Sequence, residues 1–191
     1  MILLISREEA LNLLRYYLKD ERIVKHCLAV EAIMRALAKK LSEDETIWML
    51  VGLLHDIDYD FVERDMKRHG LEALSILKSI GLPLEALEAI AGHNENNGFK
   101  ITSEKSKKIL HALRASDHVS GLIIATTLVM PSKKLAEVRL ETVIRKYKSK
   151  DFARGVDRER IREIEILGVK LEEFMVLAIE ALKKVASELG L

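Results

Sequence analysis

The chain is poor in the residues that punctuate or staple a fold: its 191 residues include one cysteine, two prolines, nine glycines and no glutamine. A single cysteine excludes an internal disulfide framework and any cysteine-based zinc or iron–sulfur site, and points to a cytoplasmic protein. So few prolines and glycines argue against the many tight turns of an all-β sandwich or barrel. The missing glutamine, beside abundant Lys, Glu and Arg, is a habit of heat-stable proteins and carries no chemistry. Charge of one sign is lacking too. Thirty-one basic against 30 acidic residues leave +1, no global footprint for nucleic acid or a membrane surface. The longest apolar run, Val119–Met130, falls short of the ~20 residues of a membrane span and is interrupted by Ser and Thr. The apolar start, Met1–Ile5, has no basic flank and runs at once into charged sequence, so it does not read as a signal peptide.

What remains is an ordinary globular composition, 49% hydrophobic and 32% charged, sized for one domain or one domain with an appendage. The apolar residues recur at helical spacing. Ser6 with Glu9 forms a capping box ahead of Ala10, Leu11, Leu14 and Leu18. A second helix is expected over Glu21–Leu41, and Ser42 with Glu45 reads as a box opening a third that ends near Leu54. His55–Asp65 reads as a loop, helix is expected from near Asp65 to Gly81, and Pro83 suits the first position of a short helix over Leu84–Ala91. After the Asn-rich loop Asn94–Phe99, Thr102 or Ser103 caps a long helix ended by Pro131. A shorter helix from Ser132, a basic segment Arg145–Lys150, a helix capped by Asp157 and a last one over Leu171–Leu189 complete the chain. With no alternating pattern and no repeat, the class is all-α, of eight or nine helices. Residues 1–130 form the expected main domain and 131–191 a C-terminal helical extension packed on it.

The ionisable residues fall on these helices in an informative way. His26 shares the apolar stripe of Ile23, Val30, Ile33 and Leu37, so it points inward. Asp117 lines up with Leu110, Leu113, Gly121, Ile124 and Leu128; a carboxylate there needs a metal, an Arg from another helix, a donor set or a proton. His55-Asp56 closes an apolar helix just as the chain turns polar, where both side chains can reach one ion beside the helix end. His69 sits one turn into a helix, and His93 where a short helix ends against the Asn-rich loop. Singly, each of these has a plain structural reading. Together, four imidazoles and two carboxylates suit divalent Mn, Fe, Zn, Ni, Co or Mg without any thiolate, and exceed what one ion usually takes from a protein. Two ions bridged by a carboxylate fit that set. His111 and His118 share another face and rival His69. Asp58 and Asp60 read as loop-solvating residues or as hydrogen-bond partners of a ligand His, and Cys27 as a small core residue.

In their order, these strings resemble the HD-domain metal-dependent phosphohydrolase superfamily: VKHCLAVEA around His26, VGLLHDID around His55 and Asp56, and LRASDHVSG around Asp117. The resemblance covers about residues 20–130. HGLEA at His69 and AGHNE at His93 look like the two extra histidines of its binuclear branch. It implies an HD-domain-like helical bundle in which His26, His55, Asp56 and Asp117 are core metal ligands. His69 and His93 would complete a second site, with Asp56 as the bridge. The tail, with PSKKL and FARGVDRER, resembles a group of HD-type hydrolases of unassigned substrate.

The implied chemistry is cleavage of a phosphoester, in a nucleotide or another small phosphorylated molecule, by a water whose pKa a metal lowers. Asp56 and Arg22, one turn before His26, are the candidate catalytic residues; Lys67, Arg68 and Lys100 are candidate substrate-binding cations. Lys146, Lys148 and Lys150 read as a solvated run. Two other readings stay open: a di-iron oxygenase on the same ligands, and a non-catalytic metal- or nucleotide-binding module. Apolar residues on the last helix suit either the core or a homodimer.

Overall fold

The computed structural model describes residues 4–191, so the first three positions of the apolar start Met1–Ile5 lie outside the described residues. Among those described there are ten α-helices, three 3-10 turns and no strand. Ser6 caps α1 (Arg7–Tyr17) through the expected box: its hydroxyl accepts from Glu9 N, and Glu9 accepts from Ser6 N at 2.7 Å. Asp20 caps α2 (Glu21–Leu41), whose buried stripe includes Val24, Cys27, Val30, Ile33, Met34 and Leu37. Then come α3 (Glu45–Leu54), α4 (Leu71–Leu77), α5 (Leu84–Gly92) and the long α6 (Glu104–Leu128), capped by Ser103. The tail holds α7 (Leu140–Lys148), α8 (Arg158–Arg162), α9 (Leu171–Lys184) and α10 (Ala186–Leu189).

Four expectations of local structure are corrected. Ser42 does not open α3. It closes α2 in the left-handed region (φ 56°), with Glu43 N donating to Ala38 O at 2.9 Å, and Asp44 caps α3 by accepting from Thr46 N and Ile47 N. The helix expected from Asp65 to Gly81 shrinks to Leu71–Leu77, because residues 55–69 run as successive turns and Gly70 at φ 89° interrupts the helical path. The helix expected from Ser132 starts only at Leu140 and absorbs most of the basic segment, and the last helix breaks at Val185.

One hydrophobic core runs from Ala10 in α1 to Leu189 in α10, and Ile161, Ile164 and Phe174 of the tail are wholly buried in it. The central crossing is α2 on α3. A Cβ at Gly52 would sit 2.9 Å from the Glu31 backbone and from Val30 O, so glycine lets the two backbones touch. That close approach sets the end of α3, and His55 with it, beside His26. Among the described residues, no helix is long and apolar enough to cross a membrane.

Candidate metal centre

Four histidines converge with the same orientation, each anchored through Nδ1 and presenting Nε2 to a common point. His55 Nδ1 lies 2.8 Å from Gly52 O and His93 Nδ1 2.6 Å from Ile90 O. A backbone carbonyl only accepts, so both Nδ1 atoms carry the proton and both Nε2 atoms keep their lone pair. His69 Nδ1 donates to Asp58 Oδ1 at 2.8 Å. His26 Nδ1 is 3.4 Å from Ser120 Oγ, whose hydrogen is committed to Asp117 O.

The carboxylates stand where these Nε2 atoms point. Asp117 Oδ1 is 3.0 Å from His26 Nε2. Asp56 divides its two oxygens: Oδ2 faces His55 Nε2 at 3.4 Å and His26 Nε2 at 3.9 Å, while Oδ1 faces His69 Nε2 at 3.2 Å and His93 Nε2 at 3.3 Å. Two overlapping triads of potential ligand atoms result, His26–His55–Asp117 and His55–Asp56–His93, each lying within 4.8 Å. The structure therefore brings together all six residues that the sequence singled out, from four helices and the turns after α3.

The donor set suits a cation. His55 Nε2 is fully buried and makes no hydrogen bond, an orphaned lone pair aimed into the cluster. His69 Nε2 and His93 Nε2 lie 3.1 Å apart, a contact that needs a proton or a metal between them. Burial opposes charge on His69, but its bonds to Asp56 and Asp58 outweigh burial and raise its pKa to about 9. Burial lowers the His55 pKa, keeping that imidazole neutral. Burial also works against the Asp56 charge, but the protonated His69 bonded to it outweighs burial and holds the carboxyl well below its usual range. Asp117 is likewise held low, against its burial, by His26.

Supporting residues fix this geometry. Asp58 is completely buried and is no loop-solvating residue; besides His69 Nδ1, its carboxylate accepts Gly70 N at 2.7 Å and Ala73 N at 2.9 Å. It is the hydrogen-bond partner of a ligand His that the sequence left as the second choice. Asp60 accepts Lys19 N at 2.8 Å and so ties the loop before α2 to the turns after α3. The Asn-rich loop is a clamp: Asn94 and Asn97 amides donate to His69 O at 3.0 and 2.8 Å. Gly70 permits this, since a Cβ there would lie 2.8 Å from Ala91 O. Sequence reading also missed Arg114, which donates to Gly92 O at 2.6 Å and His93 O at 3.2 Å and so grips the carbonyl end of α5. Its position three residues before Asp117 on α6 was the available signal. Glu163 and Arg160 of the tail join Arg114 and Glu95 in one ion-pair network behind His93.

His111 lies apart from the centre, bonded to Glu163 at 2.6 Å, and His118 accepts Asp157 N at 3.1 Å. Cys27 is buried in the core. The centre opens to solvent through a cleft of about 470 Å³ lined by Asp20, Arg22, His26, Asp56, Tyr59 and Arg64. Arg22 is therefore at the mouth, engaged by Asp20 with both Nε (3.0 Å) and a terminal nitrogen (2.8 Å). Lys67 and Lys100 are exposed, and Arg68 donates to Glu72 at 3.0 Å; none of the three lines the cleft.

A family model for the HD domain matches residues 23–124, more than half of the chain, and spans His26 through Asp117. The tail from Pro131 lies beyond the match. No solved structure matches the chain.

Proposed function

The chain belongs to the HD-domain family, whose members are metal-dependent hydrolases, and on that premise we propose that it hydrolyses a phosphoester of a small phosphorylated molecule at a two-metal centre. The observation that carries this reading is the division of Asp56 between two pairs of imidazoles, with His55 Nε2 left buried and unbonded between them. His26, His55, Asp117 and Asp56 Oδ2 would hold one ion; His69, His93 and Asp56 Oδ1 would hold the other. The divalent ions, when bound, supply Lewis acidity for activating water and neutralising phosphoryl oxygens.

The protein's own residues do the rest by placement. The Nδ1 anchors hold each ring so that no reorganisation is needed when a cation arrives. Asp56 and Asp117 remain ionised because the surrounding imidazoles favour their charge over the cost of burial. Arg22 and Arg64 at the mouth put positive charge where an anionic substrate enters, and an open cleft of this size admits a small ester. A nucleotide is one such substrate, and the mixed surface charge favours it over a nucleic-acid polymer.

The test is a panel of phosphoesters assayed with Mn, Fe, Ni, Co or Mg present. Metal-dependent phosphate or alcohol release by the wild type, lost in His55→Ala and Asp56→Ala, is expected. No turnover of any ester by a metal-loaded wild type would contradict the reading.

A further inference from the structure

Arg64 was no candidate in the sequence, yet its placement is unusual in three ways. It lines the same cleft as His26 and Asp56. Its guanidinium lies over the ring of Tyr59, 5.6 Å from the centroid, and that ring in turn stands edge-on to His69, with centroids 5.1 Å apart. Its backbone is left-handed at φ 63°, directly after Glu63 at φ 54°, the only such consecutive pair of non-glycine residues among those described. Turn closure accounts for the first of the two. Arg64 N donates to Tyr59 O at 3.0 Å and Glu63 N to Asp60 O at 3.1 Å, the pattern in which glycine is usual at the position of Glu63. It does not account for the second. A side-chain-bearing residue kept in that region beside a candidate metal centre is backbone strain of the kind that clusters at functional sites.

The partner of Arg64 at the mouth is Asp20, 3.6 Å away. Asp20 already caps α2 and bonds Arg22 through both of its oxygens. Arg22 is thus held to Asp20 by two directed side-chain hydrogen bonds, whereas Arg64 meets the same carboxylate only at ion-pair distance, without a hydrogen bond, and its fork is the more readily turned to another anion. A planar guanidinium, orientated by an aromatic face and always charged, suits two-point recognition of phosphate.

We propose that Arg64 is the substrate-binding residue that takes the phosphate group at the mouth of the cleft, exchanging the Asp20 carboxylate for the phosphate oxygens. This rests on the phosphohydrolase reading for the identity of the anion. Asp20 then acts as a resident competitor, and its removal has the opposite effect from removal of Arg64.

Inorganic phosphate is the probe, titrated calorimetrically into the metal-loaded full chain, with metal content measured for every variant. Arg64→Ala is expected to weaken phosphate binding at least tenfold with metal content unchanged, since charge-assisted bonds are worth about 1.5–3 kcal/mol. Arg64→Lys recovers only part, because it lacks the fork. Asp20→Asn keeps a good helix cap and is expected to tighten phosphate severalfold. Arg154→Ala, an exposed tail residue paired with Asp151, serves as the control and leaves binding unchanged. For any ester that is turned over, KM rises in Arg64→Ala by far more than kcat falls. Unchanged phosphate affinity in both Arg64→Ala and Asp20→Asn, or no phosphate binding by the wild type, overturns the proposal. Turnover with an unaltered KM in Arg64→Ala overturns it while leaving the hydrolase reading intact. Arg64-dependent phosphate binding without turnover of any ester upholds it and counts against that reading instead.

Discussion

Replacing Asp58 by Asn changes one atom of a buried side chain, and the structure makes its consequence specific. One carboxylate oxygen accepts both Gly70 N and Ala73 N, and the other accepts His69 Nδ1. In Asp58→Asn the amide oxygen must stay with the two backbone donors, so the amide nitrogen faces His69 Nδ1 and donates to it. The His69 tautomer then inverts: its proton moves to Nε2, the atom that points at Asp56 Oδ1. A ring in that state offers no lone pair to a metal. Backbone bonds survive, so the fold should hold within about 1 kcal/mol of the wild type, whereas affinity at the ion held by His69 and His93 should fall about 10- to 100-fold. Asp58→Ala separates the two effects. It strands two buried backbone donors at about 1–3 kcal/mol each and should lower the denaturation midpoint markedly. Chelator competition monitored by metal content, with thermal melts of the metal-free and loaded proteins, reads both quantities. Two equivalents bound by Asp58→Asn with unchanged affinity would refute the tautomer argument.

Gly52→Ala places a Cβ 2.9 Å from the Glu31 backbone and should destabilise the protein by about 1–3 kcal/mol, read by urea denaturation, because neither helix can retreat without moving His55. Arg114→Ala removes both donors to the end of α5 and should cost about 1–3 kcal/mol while weakening metal retention at His93; Arg114→Lys should not recover both carbonyl contacts. In the metal-free protein, the His69 pKa of about 9 exceeds the ordinary 6.5. The stability it contributes, about 3 kcal/mol at most, is therefore complete below pH 6.5 and lost as pH rises through 9. Urea midpoints of chelated protein should fall across that window. Metal-loaded protein should not show the fall, because ligation requires the same ring to be neutral.

Four of the six residues of the centre were legible because they betray a local conflict, whereas His69 and His93 stood out only through the order of the strings. His26 and Asp117 are polar residues on stripes that helical periodicity assigns to the core, and His55-Asp56 ends a helix of almost purely apolar residues. Such conflicts ask for a common partner, and the order of the strings supplied the family. The all-α class followed from periodicity in the same way. Less legible were residues whose role depends on contacts distant in sequence. Asp58 looks like one aspartate among four in a polar loop, and only its neighbours across the turn, His69, Gly70 and Ala73, explain its burial. Asn94 and Asn97 have loop composition but clamp a histidine backbone more than twenty residues earlier, as their bonds to His69 O show. Arg64 could not be distinguished from Lys67 and Arg68 by charge; its left-handed backbone and its seat over Tyr59 are three-dimensional facts.

Helix boundaries failed where two signals competed. Ser42–Glu45 matches a capping box, yet α2 needed a left-handed residue to close and took Ser42, leaving Asp44 to cap α3. A helix is expected from near Asp65, but between Asp65 and Leu71 the bonds gathered by Asp58 and the φ 89° of Gly70 hold the chain in turns. Those turns bring His69 to Asp56, so the segment that most departs from its local propensity is the one that completes the centre.

The most direct measurement is metal content per chain by plasma mass spectrometry, on protein purified without chelator and without a His tag. The account predicts close to two equivalents in the wild type, and close to one in a variant lacking both His69 and His93. One equivalent or none in the wild type, with no further uptake on reconstitution, would contradict the two-metal centre on which the proposed chemistry rests.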